Sequence, residues 1–166
     1  INNEPLAVIN LMGQYAMSTV ENPFNWANDL IEKLHNEGIK NIFIDFHGEA
    51  TSEKRVMMMM FKSKISAICG THTHVGTDDL QIVSGTCYVT DVGLTGCRNN
   101  VIGMQEEVPI YRATTGLSGH FKIPNDCPSI LQFIVMDIQN GVCHDAFKVQ
   151  SYCSVHENRI TKALIE

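Results

Sequence analysis

Six cysteines are spread through the 166 residues without one C-x-x-C pair, which removes the usual spacing signal for a dithiol or zinc motif. Cys69, Cys87, Cys97, Cys127, Cys143 and Cys153 stand largely within apolar runs, where cysteine packs as a small hydrophobe. Free thiols are therefore expected rather than disulfides. Long hydrophobic runs are also missing. The most apolar windows, 56–61 and 130–138, fall well short of the roughly 20 residues a membrane span needs, and no signal-peptide pattern opens the chain. A cytoplasmic location is the expectation. Positive charge is scarce: 12 Lys and Arg against 18 Asp and Glu leave a formal charge of −6. That balance excludes a broad electrostatic footprint for duplex nucleic acid, but not a small phosphate ester drawn to bound cations. Repeats, low-complexity tracts and convincing linkers are absent as well.

What is present fits one domain over residues 1–166, with 44% hydrophobic and 18% charged residues. Leu6 to Leu11 reads as a buried strand. Asn22-Pro23 supplies an N-cap and a first-turn proline for a helix. Trp26, Leu30 and Leu34, with Ala27 and Ile31, form its apolar stripe, and Gly38 closes it. Residues 40–46 form a second strand. Thr51 or Ser52 is placed to cap a second helix with Glu53 in its first turn, and Ile65 to Cys69 makes a third strand. The β-α-β-α-β order predicts parallel neighbours covered by helices. Beyond His74 the pattern turns antiparallel and helices largely vanish. Ser84-Gly85 joins strands at 80–83 and 86–90, and Asn140-Gly141 joins Ile130–Ile138 to Val142–Gln150. The last ten residues read as a short helix or a frayed tail. The chain opens at Ile1 in a polar stretch without an initiator Met, so an upstream segment is expected. The Met57–Met60 run reads as core packing or a subunit contact.

Chemistry concentrates in Gly70-Thr71-His72-Thr73-His74. On an extended strand end, positions two apart share a face, so His72 and His74 can approach one metal ion or two adjacent ones. His47 follows another apolar strand, Asn41 to Phe46, and three imidazoles then meet at one sheet edge. By the same alternation Thr71 and Thr73 point away, with Gly70 and Gly76 giving the loop its freedom. His35, His120, His144 and His156 suit surface roles. Three histidines alone would also suit a mononuclear zinc hydrolase. An amidohydrolase barrel is excluded by size, because it needs about 250 residues.

The residues Ile44-Asp45-Phe46-His47-Gly48-Glu49-Ala50-Thr51-Ser52-Glu53-Lys54, then Gly70-Thr71-His72-Thr73-His74-Val75, then Thr90-Asp91-Val92-Gly93-Leu94-Thr95-Gly96 carry a resemblance. In order and spacing the chain resembles the YmdB-like branch of the calcineurin-like metallophosphoesterases, from about residue 5 to about residue 125. The resemblance implies an α/β metallophosphoesterase-type layered α/β/β/α sandwich, here lacking the amino-terminal motifs, so that residues 1–166 form the C-terminal portion of the domain. It implies a metal-dependent phosphodiesterase acting on phosphodiesters, including 2′,3′-cyclic nucleotides, through a dinuclear centre of iron or manganese, with zinc also open. His47 and His72 match ligands of the second metal, and His74 matches a ligand of the first. The general acid belongs to the amino-terminal motifs, so no catalytic residue is assigned in this chain.

Glu49 either orients a ligand histidine from behind or simply faces the start of the next helix. Asp91, Gly93 and Gly96 read as active-site rim or as turn formers. Cys97 stands where relatives usually carry proline, which predicts a local loop change. The competing class is a non-catalytic metal- or partner-binding module on the same scaffold. A structural zinc site and a homo-oligomer are further alternatives.

Overall fold

The computed structural model of the protein describes residues 4–17 and 21–166. Its first half is a crossover unit. Strand β1 (Leu6–Met12) leads to helix α1 (Pro23–Asn36), β2 (Asn41–His47), α2 (Thr51–Phe61) and β3 (Ala67–Thr71). Next come β4 (Gln81–Val83) and β5 (Thr86–Val89), then β6 (Gly96–Cys97) and α3 (Glu107–Thr115). The chain ends with β7 (Ser129–Gln139), β8 (Val142–Tyr152), β9 (Glu157–Lys162) and β10 (Leu164–Ile165). One sheet has the order β1-β2-β3-β5-β4-β10 and the other β6-β7-β8-β9. The β1-β2, β2-β3 and β3-β5 pairs are parallel, while the second sheet is antiparallel throughout.

Local chemistry explains where α1 begins and ends. The Asn22 side chain accepts from Phe24 N at 2.9 Å and Asn25 N at 3.1 Å, satisfying two first-turn donors. Gly38, at φ +80°, turns the chain away and donates its N–H to His35 O. The helix buries Ala27 and Ile31, with Leu30 and Leu34 packed alongside. Trp26 lies off that stripe and is exposed, so the apolar face is narrower than its sequence suggests.

Alternation along β2 divides its side chains between two layers. Ile42, Ile44 and Phe46 pack under α1 and α2 with Met57, Met58 and Phe61. Phe43 faces the second sheet, where Ala67, Cys69, Cys87 and Val89 meet Cys143, Ala146 and Met136. The Met57–Met60 run is split: Met57 and Met58 are core, while Met59 and Met60 are exposed. Burial pushes the Cys69 thiol up to about 12, which leaves it protonated and inert.

Several expectations are corrected. Cys97 and Cys127 form a disulfide, while Cys69, Cys87, Cys143 and Cys153 are free. Residues 157–165 form β9 and β10 rather than a helix or a tail, because β8 and β4 each offer an open edge for backbone pairing. Helix α3 stands in the half where helices were expected largely to vanish; Pro109 falls in its first turn, where a missing N–H costs no helical bond. Helix α2 begins after Ala50, with no side-chain cap from Thr51 or Ser52, and the third strand is displaced to Ala67–Thr71. The outer α layer of the four-layer sandwich is not formed among the described residues. No residue of α3 is buried, and Leu131, Phe133 and Val135 on the second sheet are exposed.

Asn41 joins the start of β2 to the tip of the β7-β8 hairpin. Its side-chain oxygen accepts from Gly141 N at 2.7 Å, and its amide donates to Glu4 Oε2 at 2.8 Å. Asn41→Ala leaves the part-buried Gly141 N–H without this acceptor, and equilibrium urea unfolding should show a loss of about 1–3 kcal/mol.

Candidate metal centre

The carboxyl ends of parallel strands are where open α/β sheets bind ligands, and His47 and Thr71 end β2 and β3 directly opposite each other. Asp45, His47 and Thr71 share the face turned toward the second sheet, as strand alternation requires. The Thr71 hydroxyl donates to Asp45 Oδ1 at 2.8 Å, and Asn10 Nδ2 donates to Asp45 Oδ2 at 2.8 Å. With its one proton given to Asp45, Thr71 Oγ1 accepts from His47 Nδ1 at 3.1 Å. The proton therefore sits on Nδ1, and His47 Nε2 carries a lone pair.

His72 Nδ1 lies 3.0 Å from that Nε2, with the two rings edge-on at 87°. On its other side, His72 Nε2 is 3.1 Å from Glu49 Oε2 and must donate its proton there. A protonated His72 donates its Nδ1–H to that lone pair, whereas the neutral tautomer with its proton on Nε2 presents a second lone pair to the first. Two lone pairs facing each other at this distance repel unless a cation lies between them. Two imidazole nitrogens bound to one ion at about 2.0–2.1 Å stand about 3 Å apart at an angle of roughly 95°. The pair therefore fits a shared transition-metal ligand set. Burial above all holds His47 below the ordinary imidazole value, which favours its neutral form and keeps the Nε2 lone pair available.

His74 is placed differently. The strand ends at Thr71, and His72 (φ +118°) and His74 (φ +60°) both adopt left-handed backbone that non-glycine residues rarely take. His72 and His74 therefore do not share a strand face. His74 Nδ1 donates to Ile102 O at 2.8 Å, which directs the ring toward the loop after β6. Among the described residues no three His, Cys, Asp or Glu side chains converge on one ion position. Thr71, expected to point away, instead touches His47.

The turning loop is held from below by a buried ion pair. Lys54 of α2 reaches Asp91 Oδ2 at 3.2 Å, with the side chains 0% and 1% exposed. The same oxygen accepts from Thr73 N at 2.9 Å, while Asp91 Oδ1 accepts from Gly93 N at 3.0 Å. Gly70 permits this crossing, because a Cβ there would collide with the Thr90 carbonyl oxygen. Asp91 is thus a buried organiser rather than an exposed rim residue. Asp45, Lys54 and Thr71 were passed over as site residues. A carboxylate within the apolar run Ile42 to Phe46 was the available signal for Asp45; nothing local marks the other two.

This architecture is a mixed α/β fold shared with a phosphatase. A crystal structure of a novel phosphatase from Mycoplasma pneumoniae matches with TM-score 0.68 and 29% identity, over 93% of this chain and 52% of that one. A hypothetical protein from Thermus thermophilus matches with TM-score 0.81 and 27% identity, over 98% of this chain and 60% of that one. The 2′,3′-cyclic-nucleotide 2′-phosphodiesterase of Bacillus subtilis (strain 168) is 41% identical over 140 residues, covering 84% of this chain and 52% of that protein. The YmdB-like protein family matches residues 1–149, and the chain belongs to that family. It spans about half the length of the curated relatives it matches.

The buried pair generates a stability test. Asp91→Ala leaves Lys54 as an uncompensated buried cation and should cost about 3–5 kcal/mol in urea unfolding; Lys54→Met/Asp91→Leu should regain the part due to the unpaired charge but not that of the Thr73 and Gly93 N–H groups. A loss under about 1 kcal/mol, the worth of a surface pair, would show that the contact does not hold the loop.

Proposed function

We propose that the protein hydrolyses phosphodiesters, with 2′,3′-cyclic nucleotides as its substrate class. The reading assigns His47 and His72 as one pair of metal ligands and His74 as a ligand of a second ion. The carrying observation is the 3.0 Å approach of His47 Nε2 and His72 Nδ1, each ring held at its other nitrogen by a protein acceptor. The name of the Bacillus subtilis relative supports the substrate class. The family resemblance favours iron or manganese, and imidazole also suits zinc. Such cations, when bound, supply neutralisation of the phosphoryl oxygens and a hydroxide at neutral pH.

The chain's own residues prepare the ligands. Asp45, through Thr71, fixes the His47 tautomer, and Glu49 orients His72. This favours the orienting role of Glu49 over a helix-terminal one. The Ile102 carbonyl accepts a hydrogen bond from the Nδ1–H of His74, which leaves the lone pair of that ring on Nε2. Each of the three imidazoles is then occupied at both nitrogens, one by a ligand role and one by a hydrogen bond. None is free to protonate the leaving ribose oxygen, and the resemblance places that acid in the amino-terminal motifs.

A second reading, a non-catalytic metal- or partner-binding module, is favoured by one feature: His74 turns to Ile102 and does not join the other two histidines. The full protein, with its mass verified, should contain close to two transition-metal ions per chain by elemental mass spectrometry. It should open 2′,3′-cyclic AMP, with turnover reduced at least about 100-fold in His72→Ala and in His74→Ala. Metal-loaded protein that binds the nucleotide without turnover would support the module instead. Thr71→Val should weaken metal binding about 10–100-fold, read by competition with a chelator.

A further inference from the structure

A cavity of about 300 Å³ opens beside His74, walled by Leu94, Thr95, Ile102, Met104 and Ile123. Apart from His74 no titratable side chain lines it, so its chemistry is apolar and neutral against the edge of the candidate centre. Its volume is at the lower end of small-molecule sites. A flat heterocycle suits such a space better than a charged or extended group.

The walls are built before any ligand arrives. Val101 and Met104 exchange both backbone hydrogen bonds, at 3.1 and 2.9 Å, around Ile102 (φ +46°) and Gly103 (φ +93°). This two-residue turn carries the carbonyl that holds His74. Leu94 is placed close to both Gly96 and Gly103: a Cβ on either glycine would lie 3.4–3.5 Å from its Cδ1. The Cys97–Cys127 disulfide closes the segment at its base, reinforced by Arg98 N to Pro128 O at 3.0 Å and Gln105 N to Lys122 O at 2.8 Å. A covalently closed loop loses little freedom when a ligand enters.

We propose that this cavity holds the nucleobase of the cyclic nucleotide, seated between Leu94 and Met104 while the phosphate lies toward the histidines. The proposal rests on the phosphodiesterase reading for its substrate. In a nucleoside 2′,3′-cyclic phosphate the ribose separates the phosphorus from the base, and His74 is the one residue that belongs both to the candidate centre and to the cavity wall. Bases pack well between apolar side chains, and a thioether adds favourable contact with an aromatic ring. Thr95 lines the same wall and brings a hydroxyl that suits hydrogen bonding to a base edge. The loop after β6 is thereby a specificity element: it distinguishes nucleotides from phosphodiesters that lack a base.

The test compares kcat/KM of the full protein on 2′,3′-cyclic AMP and on methyl riboside 2′,3′-cyclic phosphate, the same ring without a base. The wild type should favour the nucleotide about tenfold or more, the worth of one seated base. Leu94→Ala should bring that ratio close to one. Ile123→Asp, at a side chain 77% exposed and thus harmless to folding, should lower it severalfold. Equal rates on both substrates in the wild type, or a ratio unmoved by both variants, would overturn the proposal. Fluorescence quenching of 2-aminopurine riboside separates the two readings. Binding that Leu94→Ala abolishes, with no turnover of either substrate, would retain the cavity and reject the phosphodiesterase; turnover without quenching would do the reverse.

Discussion

The loop that carries His72 and His74 depends on the buried pair of Lys54 and Asp91. Asp91 accepts from Lys54 and Thr73 at one oxygen and from Gly93 at the other, so one carboxylate fastens α2, the loop after β3 and the loop after β5. A buried charge pair of this kind is weak as a source of net stability and strong as a geometric constraint, because neither partner tolerates loss of the other. The constraint is what permits His72 and His74 to occupy left-handed backbone. A second buried cation reinforces the loop from the opposite layer: Lys148 of β8 donates to Thr77 O at 2.9 Å. Its burial pulls the ammonium below the usual lysine value, and Asp91 and Asp79 oppose that shift. Two lysines, one from a helix and one from the second sheet, thus support the loop that carries the histidines.

Above that base, the chemistry follows from hydrogen bonds that leave each imidazole one defined lone pair. Asp45 acts through Thr71 on His47, Glu49 acts directly on His72, and a backbone carbonyl acts on His74. The three partners differ, and so does the rigidity they confer. Asp45 and Thr71 are locked by strand register, whereas Glu49 is half exposed on a loop. His47 is consequently the best-oriented nitrogen of the set.

The strands and hairpins were legible wherever one local rule governed them. Asn22-Pro23 marked the start of α1, and Asn140-Gly141 adopts the paired positive φ angles that a tight hairpin demands. The β-α-β-α-β reading also holds, because burial on both faces leaves β2 and β3 mostly apolar, with Asp45 the exception inside β2. Failures came where tertiary partners decide. The six residues of β9 are all exposed and bear no strand periodicity; they are ordered by pairing with β8. The Cys97–Cys127 link joins residues 30 apart, and no spacing rule relates them. At the site, the H-x-H spacing identified the loop but misjudged its shape, since strand alternation stops at Thr71 and Asp91 takes over. Lys54 was invisible because helix periodicity alone does not distinguish a lysine that crosses the core from one that reaches solvent.

The last two strands also bear on the site, although they lie far from it in sequence. Between β9 in the second sheet and β10 in the first stands a single residue, Ala163, whose N–H is taken by Ala146 O at 2.9 Å. The chain therefore passes from one sheet to the other in one step and sews their edges together. Sheets that pack only through side chains can slip past each other; sheets stitched by backbone cannot. His47 ends β2 of the first sheet and His72 follows directly on β3, while the disulfide-closed loop that receives His74 springs from the second. The stitch makes the spacing between those two halves a property of the whole sandwich rather than of any side chain in the gap.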